Sequence, residues 1–559
     1  LAEWPALGRA LSTAVKNQER PKTTTDGADG AIVVWQDFRN PRVNVFATRV
    51  LASGKLDLAW PVDGRALLAD STAQETAFGG QAFPVIVSDG AGGAIVAWQD
   101  ERLQNDLNIF AQHILASGVV DPAWPANGRA LCTARGQQDI PTIVSDGAGG
   151  AIVTWMDGRS SVTNVDIFAQ HVLASGVVDP AWPADGAALC TALAPQAFPN
   201  IVSDGSGGAI VTWYDFRPGD SSIDIYAQHV TNSGSVDPAW PANGRALCLA
   251  PGAQLDPTIV SDGAHGAIVT WEDPRDGTSH IYAQRVLGSG AIAAGWPVDG
   301  RAVCTAPVLQ DHPILTSDGA GGAIVTWLDA RGGRNHNPFA QHVLASGVVD
   351  PAWPDNGTAL SLSSGEEIAA SIVPDGAGGA IVAWEEDSFI LVNHVRASGL
   401  LDPTFPVNGR FVRLLLTFQR SPDLTTAGAG SAIVAWSDAA SSTDSDIYAV
   451  IVETGETLAV DPAETPRPTV ALAHPSPNPA RGPVTLRFSL TRAAEVRLAI
   501  FDLGGRRVRE LVSGIEPAGT HGIAWDLRDE SGRPTPAGVF FARLEVGGRV
   551  LTERVATLR

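Results

Sequence analysis

The stretch "PTIVSDGAGGAIVTWMDGRSSVTNVDIFAQHVLASGVVDPAWPADGAALCTA", Pro141 to Ala192, is one copy of a unit that fills most of the 559-residue chain. Its opening "PTIVS" is a short apolar run rich in β-branched residues, and the "DGAGG" behind it is a hairpin turn. "AIVTW" reads as a second strand, "DIFAQHVL" as a third and "GAALCTA" as a fourth, with no helical period in between. Strands that are apolar on both faces belong to a sheet packed between two others.

The Gly-Ala-Ile-Val-x-Trp core of this unit recurs at Trp35, Trp98, Trp155, Trp213, Trp271, Trp327, Trp384 and Trp436, spaced 52 to 63 residues apart. A second aromatic, mostly in Ala-Trp-Pro, recurs at Trp4, Trp60, Trp124, Trp182, Trp240, Trp296, Trp353 and Phe405. Eight units are therefore present, and a repeat of four antiparallel strands of this length is a β-propeller blade. The chain opens on a lone fourth strand, "WPALGRALSTA" (Trp4 to Ala14), and its last unit (Ser421 to Glu453) has only the first three. The sequence thus predicts an all-β fold: an eight-bladed propeller over 1–453 whose N-terminal strand closes the last blade and removes the open sheet edge. The units resemble bacterial surface-protein repeats of about sixty residues containing Asp-Pro-Ser-Phe-Gly, through "VVDPAWPANG" (Val119 to Gly128) and its copies.

Residues 454–474 break the repeat with a Pro-, Thr- and Glu-rich linker. Behind it, 475–559 alternate strands and Gly turns and read as a sandwich of about seven strands, with Trp525 and Phe501 as core anchors. Pro-Asn-Pro, Phe-Asp-x-x-Gly, Trp-Asp-x-x-Asp-x-x-Gly and Pro-x-Gly-x-Phe-Phe follow one another there. In this the segment resembles the C-terminal sorting domain of type IX secretion substrates and the Ig-like domain of the flagellar hook-capping protein. The resemblance implies an extracellular or outer-surface location, with the export machinery as a partner. The end in "VATLR" leaves cleavage and anchoring open.

The net charge of −22 argues against nucleic acid, and no run of about twenty apolar residues suggests a membrane span. Residues 471–559 carry 13 Arg against 9 acidic residues, a balance of +4, leaving −26 on the rest. A start at Leu1 fits a leader already removed. Cys132, Cys190, Cys248 and Cys304 hold one repeat position where other units have Ser12, Leu68, Ser361 and Arg413, so they read as packing residues.

Candidate ligand-binding residues are the Asp-x-Arg pairs behind the second strand: Asp37/Arg39, Asp100/Arg102, Asp157/Arg159, Asp215/Arg217, Asp273/Arg275 and Asp329/Arg331, decaying to Asp387 and Asp438. Six such pairs on one face form either a charged rim for a glycan or inter-blade ion pairs. His113, His171, His229, His342 and His394 recur in the third strand, with Arg49 and Arg285 elsewhere. Arg cannot replace a neutral imidazole as a ligand, so these read as hydrogen-bonding groups and no metal site is expected. The repeated Ser-Asp-Gly carries a single carboxylate and reads as a turn. Loops behind Asp-x-Arg vary in sequence and length while the opposite face is uniform, which puts a partner on the variable face.

Eight Trp-bearing blades resemble quinone-dependent dehydrogenases in architecture alone, and no cofactor is expected. Like groups repeated in every blade argue against an enzyme, since catalysis needs unlike groups at one point. The sequence is therefore read as a non-enzymatic surface protein binding a glycan or protein partner. A filament-forming structural protein built by head-to-tail self-association is the alternative. A polysaccharide-active hydrolase or lyase is the third reading.

Overall fold

The computed structural model describes residues 4–5, 7–68, 80–103, 106–161, 163–217, 223–333, 335–363, 365, 367–413, 417–439, 444–455, 471–472, 475, 478, 480–490, 494–502, 505–517, 519–546 and 549–558. These form two compact units, Leu1–Thr457 and Leu458–Arg559. Among the described residues no helix is long and apolar enough to cross a membrane.

The first unit is all-β and propeller-like. Seven four-stranded antiparallel sheets each use consecutive strands; sheet 3, for example, runs Gln138–Ser145, Ala151–Ser161, Asn164–Val172 and Ala187–Cys190. An eighth sheet takes Phe418–Thr426, Ser431–Ala439 and Asp446–Glu453, and its fourth strand is the N-terminal Arg9–Ser12. We number the sheets 1 to 8 in chain order, sheet 1 opening at Gln18–Thr25. The first strands of successive sheets lie against one another, and that of sheet 8 lies against that of sheet 1. Hydrogen bonds mark these contacts: Thr142 Oγ1 to the Pro199 carbonyl (3.4 Å), Asn200 Nδ2 to that of Pro257 (2.9 Å), Thr258 Oγ1 to that of Pro313 (3.2 Å). Between sheets 8 and 1, Asp423 accepts from Lys22 Nζ and from the Thr23 N–H, both at 2.8 Å.

Packing between sheets explains the two tryptophan series. The Trp of each second strand is fully buried at the sheet interface, as Trp155 is with Ile95 and Ala97 of the preceding sheet. The Ala-Trp-Pro tryptophans reach forward instead: Trp60 Nε1 donates to the Ala116 carbonyl at 3.3 Å and Trp124 Nε1 to that of Ala174 at 3.1 Å. Gly118 sits under the Trp60 ring at φ +75°, where a Cβ would lie 2.7 Å from the indole, so that turn admits only glycine. Cys132, Cys190, Cys248 and Cys304 are buried free thiols, as packing residues should be. Burial pushes the Cys132 thiol up to about 12 and that of Cys190 to about 11, which keeps both unreactive.

Deleting residues 1–12 should uncover the Asp446–Glu453 edge and remove the buried Leu11. We expect a loss of about 3–5 kcal/mol, read by urea melts, together with aggregation from the bare strand.

The second unit has a three-stranded sheet (Ala471–Leu472, Val484–Leu490, Gly519–Trp525) and a four-stranded one (Arg507–Glu516, Ala494–Asp502, Gly538–Val546, Arg549–Thr557). Both sheets supply one core, which includes Leu486, Phe488, Leu498, Ile500, Trp525, Phe540 and Leu544. Trp525 anchors it, edge-on to Phe540 with ring centroids 5.1 Å apart. Phe501 does not: it is only half-buried, because strand alternation turns it away from the face that Ile500 buries.

Candidate functional site

The Asp-x-Arg pairs are built into the sheets. Asp37, Asp100, Asp157, Asp215, Asp273 and Asp329 are at most 1% exposed, and each accepts the indole N–H of the tryptophan two residues before it at 2.8–3.0 Å. Arg39, Arg102, Arg159, Arg217, Arg275 and Arg331 lie over Phe46, Phe110, Phe168, Tyr226, Tyr282 and Phe339, with guanidinium carbons 3.7–4.2 Å from the ring centres. The same arginines donate to backbone carbonyls such as those of Asp63 and Asp185, and Arg159 reaches Cys132 Sγ of the preceding sheet at 3.3 Å. The ion pair thus closes within one turn, and the link between sheets is Arg to Cys for Arg159, Arg217, Arg275 and Arg331 and Arg to Ser12 for Arg39. Sheet 7 departs from the pattern at Glu386 rather than at Asp387: Glu386 follows Trp384 by two residues and pairs in register with Glu367. In sheet 8, Ala440 stands where other units have Arg, and Arg413 of sheet 7 supplies the cation, lying 3.9 Å over Tyr448 and 3.5 Å from Asp438.

The histidines bridge carboxylates. His113 joins Asp121 (2.8 Å) and Asp89 (3.0 Å), and His394 joins Asp402 (3.0 Å) and Asp375 (2.9 Å); His171, His229 and His342 repeat the geometry. Arg49 takes the same place on Asp26. A side chain whose nitrogens reach two carboxylates at once explains why Arg and His exchange here, and the Ser-Asp-Gly aspartate is both turn former and hydrogen-bond partner.

A third arrangement breaks the repetition. Each first strand carries a β-bulge shortly after its opening residues, as between Asp139 and Thr142. At the bulge, Arg20, Phe83, Ile140, Phe198, Asp256, His312 and Ser421 all adopt φ of 49–54°, a conformation that costs a non-glycine residue on the order of 1–3 kcal/mol. Bulges re-aim side chains, and here the strands that carry them are the innermost of the circuit. The bulge lies at the end of the sheet where Asp-x-Arg and the variable loops lie, since Gln138 pairs with Asp157. Those loops fall partly outside the described residues.

Seven equivalent positions thus hold chemically unlike groups around one mouth. Phe83 and Phe198 are 42% and 44% exposed; Arg20 lies over Phe83 (4.6 Å), and Phe198 stacks on Tyr214 (5.2 Å). On sheets 5 and 6 the groups are acidic and basic. Glu272 accepts the His312 N–H at 2.7 Å, while His312 and His336 approach Asp311 at 3.4 and 3.3 Å. Burial, with Asp256 and Asp311 adding to it, pushes the Glu272 carboxyl up to about 7. Its neighbour Asp311 raises His312 to about 8. Among the described residues no group of three or more His, Cys, Asp or Glu is placed to hold a metal.

The sequence carried a signal for this mouth: "QERP", "QAFP", "QDIP", "QAFP", "QLDP", "QDHP" and "QRSP" keep Gln and Pro while the two residues between them vary. Because the strained residues are retained for what they present, Phe198→Gly should leave stability unchanged or raise it by up to about 1 kcal/mol. A drop of more than about 1 kcal/mol in a denaturant melt would instead make Phe198 a packing residue.

Residues 479–546 match the FlgD Ig-like domain family. The match supports an Ig-like C-terminal domain; type IX sorting does not follow from it. No curated protein matches the chain. Among solved structures, the polysaccharide lyase Uly1 is 10% identical with a TM-score of 0.39, over 80% of this chain and 91% of that one. The α-L-arabinofuranosidase Arb93A from Fusarium graminearum is 10% identical (TM-score 0.32; 56% and 93%). The endo-arabinase from Bacteroides thetaiotaomicron is 12% identical (TM-score 0.28; 50% and 96%).

Two expectations are corrected here. The reading as a non-enzymatic interaction protein, with filament formation as its alternative, and the expectation that the chain is not an enzyme both fall. These three similar structures bear the names of carbohydrate-active enzymes. The premise of like groups in every blade also fails, because it holds for Asp-x-Arg and not for the bulges.

Proposed function

We propose that the chain is a carbohydrate-active enzyme that cleaves glycosidic bonds at the mouth of an eight-bladed propeller. The observation that carries this is the bulge ring, where exposed aromatic faces and the contacting group of Glu272, Asp311, His312 and His336 lie at the same end of the sheets. Aromatic faces such as Phe83 and Phe198 stack on the apolar faces of sugar rings. A carboxyl poised near neutrality is suited to general acid–base work. Glu272, when protonated, gives its proton to the leaving glycosidic oxygen as the C–O bond breaks, while a water molecule bonds to the anomeric carbon and releases a proton that restores the Glu272 carboxyl. The Asp311–His312–His336 group lies beside it and orders the hydroxyls around the bond. No metal or cofactor is part of this reading.

The test is a polysaccharide panel followed by two readouts, new reducing ends for hydrolysis and absorbance at the unsaturated-product band for elimination. Product from at least one polymer supports the proposal. No product from any polymer at neutral or mildly acidic pH overturns it. An enzyme of this kind suits an extracellular place, with 475–559 serving in export and 454–474 as linker. Cell fractionation of the full chain beside a version ending at Glu453 tests that part separately.

A further inference from the structure

We propose that the glycan taken at this mouth is anionic and that Arg20 recognises its carboxylate or sulfate groups. The inference rests on the reading of the bulge ring as a glycan site and names the substrate class. Arg20 is exposed, sits at a strained bulge position (φ 53°) and has its guanidinium 4.6 Å over the Phe83 ring. Stacking on an aromatic face fixes the plane of the guanidinium and leaves its N–H fork open for a bidentate oxyanion.

What sets Arg20 apart is its place at the bulge with an aromatic face beneath it, since other arginines without an ion pair among the described residues, such as Arg65 and Arg129, are spent on backbone carbonyls. On a chain of net charge −22, arginines near carboxylates pair with them: Arg39 with Asp37, Arg49 with Asp26, Arg275 with Asp273. Two residues on, Lys22 is paired with Asp423. Arg20 has no carboxylate within ion-pair distance among the described residues, although the fold offers acidic groups in excess. Arg420, on the neighbouring sheet 8, is likewise exposed and forms no ion pair among them; it is near enough to Glu385 to oppose the rise that burial imposes on that carboxyl.

Sheets 8 and 1 thus bring the guanidiniums of Arg20 and Arg420 to the bulge ring, while sheets 5 and 6 bring the carboxyls of Asp256, Glu272 and Asp311. Sheet 5 is half-way round the circuit from sheet 1. A guanidinium held open in this way matches a carboxylate or sulfate with two parallel, charge-assisted hydrogen bonds, which a neutral hydroxyl does not offer. A charged glycan is oriented by it, its anion toward Arg20 and its hydroxyls toward the carboxylates.

The experiment measures binding rather than turnover, so that it stands apart from the catalytic proposal. Full-length Glu272→Gln protein is titrated calorimetrically with polygalacturonate, alginate, hyaluronan and dextran sulfate, and with neutral galactan, arabinan and dextran. The expected result is that the tightest polymer is anionic, that about 0.3 M NaCl weakens it, and that Arg20→Ala weakens it at least about 10-fold with an unchanged melt. Preference for the sulfated over the carboxylated polymers identifies the anion. The inference is overturned if the tightest polymer is neutral, or if Arg20→Ala leaves anionic binding within about 2-fold. Should cleavage be found on neutral polymers with Arg20→Ala unaffected, the enzyme reading stands and this inference alone fails.

Discussion

Glu272→Gln is expected to lower kcat on the cleaved glycan by about 10²–10⁴-fold while KM changes by no more than about 2-fold. The amide keeps the shape of the side chain and its acceptance of the His312 N–H, and removes only the transferable proton. The pH profile of the wild-type chain should agree. Burial raises Glu272 to about 7, so the proton-donating form is present below that value and kcat/KM falls as pH rises through it. In Glu272→Gln that alkaline limb should vanish from whatever activity is left. If the variant keeps its activity and the limb, the proton donor is another group.

His394→Leu should be the most destabilising single change in the molecule outside the tryptophans, at about 3–5 kcal/mol. His394 is fully buried between Asp375 and Asp402, themselves 4% and 1% exposed, so an apolar side chain strands two carboxylates. His394→Arg should recover most of the loss, since Arg285 occupies the equivalent place on Asp262. The sign with pH follows from the shifts. Burial acts to lower His394, but hydrogen bonds to Asp375 and Asp402 outweigh it, so its folded value lies above the ordinary 6.5. That contribution is complete below the unfolded value and fades as pH rises through the folded one. Asp375 and Asp402 are held below the usual carboxylate range, although burial acts in the opposite direction. Backbone N–H groups and His394 outweigh burial there, and their contribution fades on acidification below about 4. Wild-type stability should therefore peak between about pH 4 and 6.5, and His394→Arg should extend the plateau upward. Urea melts across pH check both statements.

The strand order, the sheet count and the pairing of the N-terminal strand with the last unit were legible because repetition writes the same pattern eight times. The Asp-x-Arg motif was legible as a motif but its role was not. Its carboxylate is engaged by the indole N–H of the preceding Trp, a contact that sequence spacing alone does not express. Arg413 illustrates the same limit. It stands at the cysteine position of its unit and acts on Asp438 of the next, so its role appears only when the sheets are stacked. The mouth was not legible because its residues differ from unit to unit, and variation in a repeat resembles drift. What distinguishes it is physical: Phe83, Ile140 and Phe198 hold a left-handed backbone that costs a non-glycine residue on the order of 1–3 kcal/mol. Phe501 and Ile500 show the finer limit, since neighbouring strand residues point to opposite faces and register decides which is core.

The most direct test of the bulge ring as the active site is a crystal structure of full-length Glu272→Gln protein bound to an oligosaccharide from the polymer that the panel selects. The sugar is expected at the mouth, stacked on Phe83 or Phe198 and with its scissile oxygen in hydrogen-bond reach of residue 272. An oligosaccharide bound on the outer sheet surface, or to the C-terminal sandwich, with the mouth empty would contradict it.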